Sequence, residues 1–223
     1  MWRILFRIFT IYLSSSFCQN FLYILRKCIT LNHNFCAAVI AEFKSLKTLY
    51  IWGYKSDIII PENFKNLDRL KELTLMVESL VLPEGFGQLK SLKKLWISTK
   101  KMSNIPQSFW DIKNLVELDF KVEDFTTLPP EIKNFKQLEI LILNGNSMLS
   151  EIPAEIQYLT NLRILEFHNT NIKDLPEETL KLTNLEEIYS TSEFASSSII
   201  AKKLREKGVN VVSFRLSTRK KTS

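Results

Sequence analysis

The chain contains an internal repeat that is marked by proline. Six of its seven prolines stand 22 to 24 residues apart, and each directly follows an isoleucine or a leucine. These prolines are Pro61, Pro83, Pro106, Pro129, Pro153 and Pro176. A repeat of this length forms one supersecondary unit that buries its apolar side only against its neighbours. The sequence therefore predicts an elongated array of stacked units rather than a single globular core.

Each repeat also carries an LxxLxL segment that begins nine residues after its proline. Leu70, Leu73 and Leu75 form one copy, and a further copy that starts at Leu46 precedes the first proline of the series. Apolar residues alternate in the second half of the segment, which is typical of a short strand with one buried face. The seven copies predict seven parallel strands.

A short helical or extended return segment is predicted to begin at each proline. Proline has no N–H and a fixed φ, so it suits the first turn of such a segment. Five of the six prolines are followed within two positions by a carboxylate, which favours a helical first turn. These carboxylates are Glu62, Glu84, Glu131, Glu155 and Glu177. The predicted fold class is α/β, with a parallel sheet on one side of the array and return segments on the other.

This pattern resembles the leucine-rich repeat family, and within it the LPxxI subtype of about 23 residues. The subtype occurs in Ras-group scaffold proteins, plant intracellular repeat proteins and many bacterial repeat proteins. The resemblance extends from Leu46 to Ile188. It implies a curved α/β solenoid whose concave strand face binds other proteins, in signalling or as a scaffold.

The chain departs from the family at one position of the repeat. The family usually has an asparagine three residues after the LxL pair, where its side chain caps neighbouring backbone groups in a ladder. Only Asn146 keeps this residue, and Thr170 is a partial substitute. The remaining positions are Tyr54, Glu78, Lys100 and Glu123. Backbone groups there need other partners, and we expect looser or wider turns in the first four repeats.

Four segments are predicted along the chain. Residues 1–45 form an N-terminal segment, residues 46–190 the array of six to seven repeats, residues 191–214 a capping helix and strand, and residues 215–223 a basic tail. The cap is predicted because the repeat register breaks after residue 190. Its elements are a helix with Ile199, Ile200 and Leu204 at helical spacing, a stop at Gly208 and a strand over Val209–Phe214.

The first 25 residues allow two interpretations. A basic start and the apolar run from Ile8 to Leu13 resemble a weak secretory signal or membrane anchor. Arg7 and the polar residues after the run favour instead a cap or a degenerate first repeat, and the segment is too polar for a typical transmembrane helix. Membrane association through residues 1–25 stays open. A cytoplasmic location is favoured, with a secreted or membrane-anchored protein as the alternative.

Composition argues against nucleic-acid, metal and cofactor sites. The net charge of +6 is concentrated at the two ends of the chain, whereas nucleic-acid binders usually carry basic residues on the folded face. Residues 46–199 hold 17 basic and 22 acidic side chains. The three cysteines, Cys18, Cys28 and Cys36, form no CxxC motif and have no histidine cluster near them. Five glycines also offer little material for a phosphate-binding loop.

Candidate binding residues come from the strand positions predicted to point away from the core. They are Tyr50, Trp52, Thr74, Met76, Lys94, Trp96, Asp119, Lys121, Ile142, Glu166 and His168. Large side chains gather on the first three strands, and tyrosine and tryptophan are typical interface anchors. The alternative interpretations are that residues 1–45 cover these side chains, or that the aromatic residues stabilise neighbouring strands.

No catalytic arrangement is predicted. Ser98 and His168 lie three strands apart, too far for a nucleophile and its base. Asp119, Lys121 and Glu123 offer a small polar centre suited to a basic peptide.

The leading hypothesis is a monomeric, non-enzymatic module that binds a protein partner. The alternative is a fragment or accessory of a larger signalling or effector protein with a membrane-anchored or secreted N-terminus.

Overall fold

Residues 43–213 form one parallel sheet with return segments along one side of it. The computed structural model describes these residues, apart from the side chains of residues 54–56. Its eight strands are hydrogen-bonded to one another in sequence order. They are β1 (Thr48–Ile59), β2 (Glu72–Val81), β3 (Lys94–Met102), β4 (Glu117–Val122), β5 (Ile140–Ile142), β6 (Ile164–Glu166), β7 (Glu187–Ser190) and β8 (Asn210–Ser213). The predicted α/β solenoid is confirmed.

Several sequence predictions fall outside the described residues. They are the signal, anchor or cap interpretations of the first 25 residues, the three cysteines and the basic tail 215–223.

Six return segments of the array are five-residue 3₁₀ helices, each with a proline as its N-cap. They are Glu62–Asn66, Glu84–Gln88, Gln107–Asp111, Pro130–Asn134, Ala154–Tyr158 and Glu177–Lys181. The N-cap prolines have φ between −62° and −78°, close to the value that the ring imposes. The third residue of each helix is buried and packs towards the strands. This residue is apolar in five of the helices and is Thr179 in the sixth, and together with the proline it sets the path of the return segment.

The first three strands are longer than the sequence predicted. β1, β2 and β3 have 12, 10 and 9 residues and continue past the LxxLxL segment, whereas β5 and β6 have three. The expectation of looser or wider turns is therefore wrong for the second and third repeats. Backbone groups of β2 and β3 remain in the parallel ladder, with Val77 opposite Thr99 and Leu80 opposite Met102. The β1–β2 ladder instead shifts register between Gly53 and Asp57. β-Branched residues such as Val77 and Thr99 favour extended backbone where later repeats have asparagine and glycine.

Tight turns appear where the asparagine and threonine stand. Asn146 is fully buried, and its amide donates to the carbonyls of Phe120 and Leu143, each at 2.8 Å. Its Oδ1 accepts the N–H of Val122 at 2.8 Å. Thr170 replaces it in part, since its hydroxyl donates to the carbonyl of Phe167 at 2.7 Å. One position earlier, Gly145 and its counterpart Asn169 have positive φ, which lets the chain turn.

A second set of side chains fixes the opposite edge, where the strands begin. Asn114 donates to the carbonyl of Lys90 at 2.7 Å, and Asn161 donates to that of Lys136 at 2.8 Å. Asn184 repeats the contact one repeat further along, to Thr160 at 2.8 Å. Each bond joins a residue to the neighbouring repeat, so the edge is held in register independently of the asparagine ladder. The repeat spacing alone does not reveal this contact.

Aromatic rings fill the core between the sheet and the 3₁₀ helices. Phe109 lies at the centre, with ring centroids 6.0 Å from Phe86, 4.9 Å from Trp110, 5.7 Å from Phe120 and 6.0 Å from Phe135. These rings come from three consecutive return segments and one strand. The core therefore runs continuously from repeat to repeat, as stacked repeats require.

The C-terminal end of the array is covered by two short helices, α1 (Ser192–Ser197) and α2 (Ile199–Glu206). The side chain of Ser198 accepts the N–H of Ala201 at 3.0 Å and caps α2. Ile200 is buried, whereas Ile199 is 69% exposed and lies outside the core. After Gly208, at φ +90°, β8 pairs in parallel with β7.

Candidate functional site

The candidate side chains lie on the face of the sheet opposite the 3₁₀ helices, the concave face of the solenoid. The strand register places them in rows across neighbouring strands. The middle row contains Tyr50, Thr74, Trp96, Asp119, Ile142, Glu166 and Tyr189, and the next contains Trp52, Met76, Ser98 and Lys121. Lys94 stands in a third row, and His168 follows β6. The structure thus brings together the residues on adjacent strands and separates those at opposite ends of the sheet.

Four large side chains, Tyr50, Trp52, Met76 and Trp96, form a cluster that we call the aromatic patch. Trp52 and Met76 are direct neighbours in the register and are 49% and 45% exposed. Tyr50 and Trp96 are half-buried on either side of Thr74, which is itself buried. Trp52 and Met76 also line a depression of about 170 Å³ at the end of the concave face. Apolar surface is therefore concentrated over the first three strands.

A carboxylate holds one wall of the aromatic patch in place. The indole N–H of Trp96 donates to Glu117 Oε1 at 2.8 Å, and Lys94 Nζ lies 3.0 Å from Glu117 Oε2. The hydrogen bond to Glu117, together with the charge of that carboxylate, raises the pKa of Lys94. Lys94 Nζ also lies 5.9 Å from the centre of the Trp96 ring. The hydrogen bond to Glu117 satisfies the indole N–H and holds the Trp96 ring in one orientation.

Glu117 was not among the candidate residues, although it supports two of them. Its position in the register, one strand from Lys94, was available from the sequence. The bond between the Trp96 indole and Glu117 depends on side-chain conformation, which spacing alone does not reveal.

Beside the aromatic patch, the polar centre that includes Asp119 and Lys121 extends to Glu166 and His168. Burial raises the pKa of Asp119 to about 6, and the charges of Glu166 and Glu117 add to this effect while Lys121 opposes it. The amide of Asn144 donates to Glu166 Oε2 at 2.6 Å, and its Oδ1 accepts the backbone N–H of His168 at 2.9 Å. These bonds fix Glu166 two strands away from Asp119, with Ile142 between them.

Burial also perturbs the imidazole of this region. It lowers the pKa of His168, although the charge of Glu166 acts in the opposite direction. His168 therefore favours its neutral form near neutral pH. The polar centre consequently offers carboxylates and a neutral imidazole rather than a strongly charged pair.

Replacing Asp119 with asparagine is expected to stabilise the protein at neutral pH. A carboxyl whose pKa is higher in the folded state than the ordinary 3.8 binds more protons when folded, so folding loses free energy as the pH rises from about 4 to about 6. The gain for Asp119→Asn at pH 7 is about 1 to 2 kcal/mol, after a reduction for solvent screening. Urea unfolding at pH 4 and pH 7 measures it. An equal effect at both pH values would contradict the raised pKa.

Neither a metal site nor a nucleophile–base pair forms among the described residues. No three histidine, cysteine, aspartate or glutamate side chains of residues 43–213 come together in a way that could hold a metal ion. Ser98 lies on β3 and His168 beyond the end of β6, three strands away.

Within residues 43–213, no helix is long and apolar enough to cross a bilayer.

The chain is similar in sequence to part of a channel protein. It is 30% identical over 116 residues to the human volume-regulated anion channel subunit LRRC8A, and the rat and mouse proteins match equally. The match covers 51% of this chain and 14% of the channel subunit. The chain thus corresponds to a small part of the curated relatives that it matches. No family model matches it.

Solved structures with the same architecture come from plants and bacteria. A leucine-rich repeat protein of Leptospira interrogans is 26% identical, with a TM-score of 0.57 over 78% of this chain and 50% of that one. The plant peptide hormone receptor RGFR1, solved in complex with RGF2, is 25% identical, with a TM-score of 0.57 over 68% of this chain and 25% of the receptor chain.

Proposed function

Because the chain is a leucine-rich repeat solenoid, we propose that it is a non-enzymatic interaction module that binds a protein partner on its concave face. The plant receptor of the same fold is solved in complex with RGF2, which shows that the architecture supports recognition of another molecule. A fold alone does not define a partner. The proposal therefore rests on the side chains that this particular concave face presents.

The exposed aromatic patch is the observation that carries the proposal. Trp52 and Met76 expose nearly half of their surfaces side by side, on a sheet face where each could have been polar at no cost to the core. Buried tryptophan and tyrosine contribute most of the binding free energy in many protein interfaces. Contiguous exposed apolar surface of this kind marks interaction sites in soluble proteins.

The polar centre adds a second feature for a ligand to meet. Asp119 and Glu166 lie on strands β4 and β6, beyond Trp96 in the same row. A partner segment that fits both regions carries an apolar side chain for the depression beside Trp52. It carries a basic or hydrogen-bonding group some strands further along. Adjacent strands are about 4.8 Å apart, so the two groups are separated by roughly 15 Å.

Peptide selection against the full chain tests the proposal. Peptides selected from a displayed random library are titrated against the wild type and against a variant with Tyr50, Trp52 and Trp96 replaced by alanine. We expect the variant to bind about a hundredfold more weakly or worse, because it lacks three anchor side chains. Circular dichroism should stay native, since the substituted side chains lie outside the core.

A matched control replaces three exposed apolar side chains elsewhere, Met148, Tyr158 and Ile199, by alanine. This control is expected to bind as the wild type does. Equal losses in the two variants, or retained binding by the patch variant, would assign recognition to another surface.

The second candidate is a fragment or accessory of a larger signalling or effector protein with a membrane-anchored or secreted N-terminus. It is supported by the extent of the similarity, since the matching residues make up 14% of the channel subunit. Mass spectrometry of the native protein would give the mature N-terminus and the full mass. A monomer is predicted, and light scattering of the purified chain would measure it.

A further inference from the structure

One edge of the solenoid carries two rows of lysines, which we call the lysine edge. The first row stands just before the strands and contains Lys47, Lys71 and Lys93, and the second lies just outside it and contains Lys90, Lys113 and Lys136. All six side chains are exposed. They belong to five consecutive repeats, so they follow the long axis of the array.

The backbone holds the first row in close register. Lys71 N–H donates to the carbonyl of Lys47 at 2.7 Å, and Lys93 N–H donates to that of Lys71 at 2.8 Å. Neighbouring strands lie about 4.8 Å apart, so three like charges stand side by side, which is destabilising on a sheet. Among residues 43–213, none of the six lysines forms an ion pair, and Lys136 lies instead over the Tyr158 ring at 4.9 Å.

The same row is neutralised in the second half of the array. The equivalent positions there are Glu139, Arg163 and Glu186, held by the same backbone bonds at 2.8 Å. Arg163 lies 2.8 Å from Glu186 and 3.9 Å from Glu139. The repeat therefore accommodates alternating charges at this position without difficulty. The uncompensated lysines of the first half are a property of those repeats and not a requirement of the fold.

The lysine edge borders a depression of about 390 Å³. Lys71, Lys90 and Lys93 line it together with Ser91, Asn114 and Gln137. Several ammonium groups around one depression suit a phosphate-bearing headgroup. Elsewhere in residues 46–199 the net charge is negative. This range holds 22 acidic side chains and 17 basic ones, and six of the basic ones form the lysine edge. An anionic surface would therefore attract this edge and repel the rest of the array.

The chain joins the array at this same edge. β1 begins at Thr48, directly after Lys47, so the described chain enters the array beside the lysine rows. The first nine residues, MWRILFRIF, combine two arginines with tryptophan, phenylalanine, leucine and isoleucine. Basic and large apolar residues in one short segment are typical of sequences that bind at lipid surfaces. Stable attachment usually needs a second, electrostatic contribution.

We propose that the lysine edge docks the solenoid on an anionic lipid bilayer, with the concave face left free for its protein partner. The six lysines follow one edge of the array, and each lysine near an anionic leaflet contributes to attachment. This role is separate from the concave-face function, since none of the six lysines lies in the concave rows.

Vesicle co-sedimentation of the full chain tests the proposal. The two vesicle types are phosphatidylcholine alone and an equal mixture of phosphatidylcholine and phosphatidylserine, and the measured quantity is the ratio of the two partition coefficients. Apolar residues contribute to both partition coefficients, whereas the lysine edge contributes only to the coefficient for the vesicles that contain phosphatidylserine. Replacing Lys71, Lys93 and Lys113 by glutamine should lower the ratio about a hundredfold, because each lysine contributes a factor of roughly five. Added salt should lower the wild-type ratio as well.

The matched control removes three positive charges elsewhere, with Lys101, Lys133 and Lys173 replaced by glutamine. All three are exposed and form no ion pair with a described residue. This control should keep most of the wild-type ratio, and the edge variant should melt at the same or a higher temperature because repulsion is relieved. An equal fall in both variants would show that only net charge matters. A wild-type ratio of one, or binding of soluble polyglutamate with no preference for anionic vesicles, would also overturn the proposal.

Discussion

Replacing Phe109 with alanine is expected to lower the free energy of unfolding by about 3 to 5 kcal/mol. Phe109 is fully buried and contacts four other rings, from the return segments on either side and from β4. The surrounding backbone is tied repeat to repeat by hydrogen bonds, so it cannot collapse into the cavity. The loss is a large fraction of the 5 to 15 kcal/mol that stabilises a typical domain.

The substitution should also separate the two halves of the array. Repeat proteins behave as chains of units coupled to their nearest neighbours, so a weakened central interface lets one half unfold before the other. The described tryptophans, Trp52, Trp96 and Trp110, all lie in the first half, whereas circular dichroism reports on both. In urea, the fluorescence and circular dichroism transitions should coincide for the wild type and diverge for Phe109→Ala.

Phe125→Ala is the matched control for the core substitution. Phe125 is only partly buried, and its single ring contact among residues 43–213 is to Phe120, at 5.2 Å. Phe125→Ala should lower the free energy of unfolding clearly less than Phe109→Ala does. Its fluorescence and circular dichroism transitions should still coincide. Equal losses at the two positions would mean that the phenylalanine core is not centred on Phe109.

Replacing Asn146 with alanine is expected to lower the free energy of unfolding by about 2 to 4 kcal/mol. The side chain makes three buried hydrogen bonds at 2.8 Å, to Val122, Phe120 and Leu143. Each is worth about 1 kcal/mol, and the buried backbone groups left without a partner add a further penalty. Urea unfolding followed by circular dichroism measures the loss.

Thr170→Ala provides the comparison in the next repeat. Thr170 makes one short bond, to the carbonyl of Phe167, and one long one of 3.4 Å from the N–H of Ile172. We expect a loss of about 1 kcal/mol there. If Asn146→Ala costs no more than Thr170→Ala, water replaces the asparagine amide and the ladder position contributes little.

Much of the candidate site followed from spacing alone. In a solenoid, residues at the same repeat position become neighbours across the sheet, so the predicted row of Tyr50, Thr74 and Trp96 is the row in the structure. The LPxxI subtype stays a prediction, as does partner binding by these residues. The turn prediction failed in the second and third repeats because β-branched residues such as Val77 and Thr99 continue the strand where the asparagine is missing.

The sequence by itself determined the repeat, the strand order and the face on which each side chain stands. These properties depend on the period of apolar residues and on prolines at fixed places, and both are local features repeated along one axis. Only the tertiary structure decided that Glu117 holds both Trp96 and Lys94 and that Asp119 is buried enough to titrate near pH 6. It also decided that Lys47, Lys71 and Lys93 form no ion pair with a described residue. Those properties depend on side-chain conformation and burial, which are set by neighbours one repeat away along the chain.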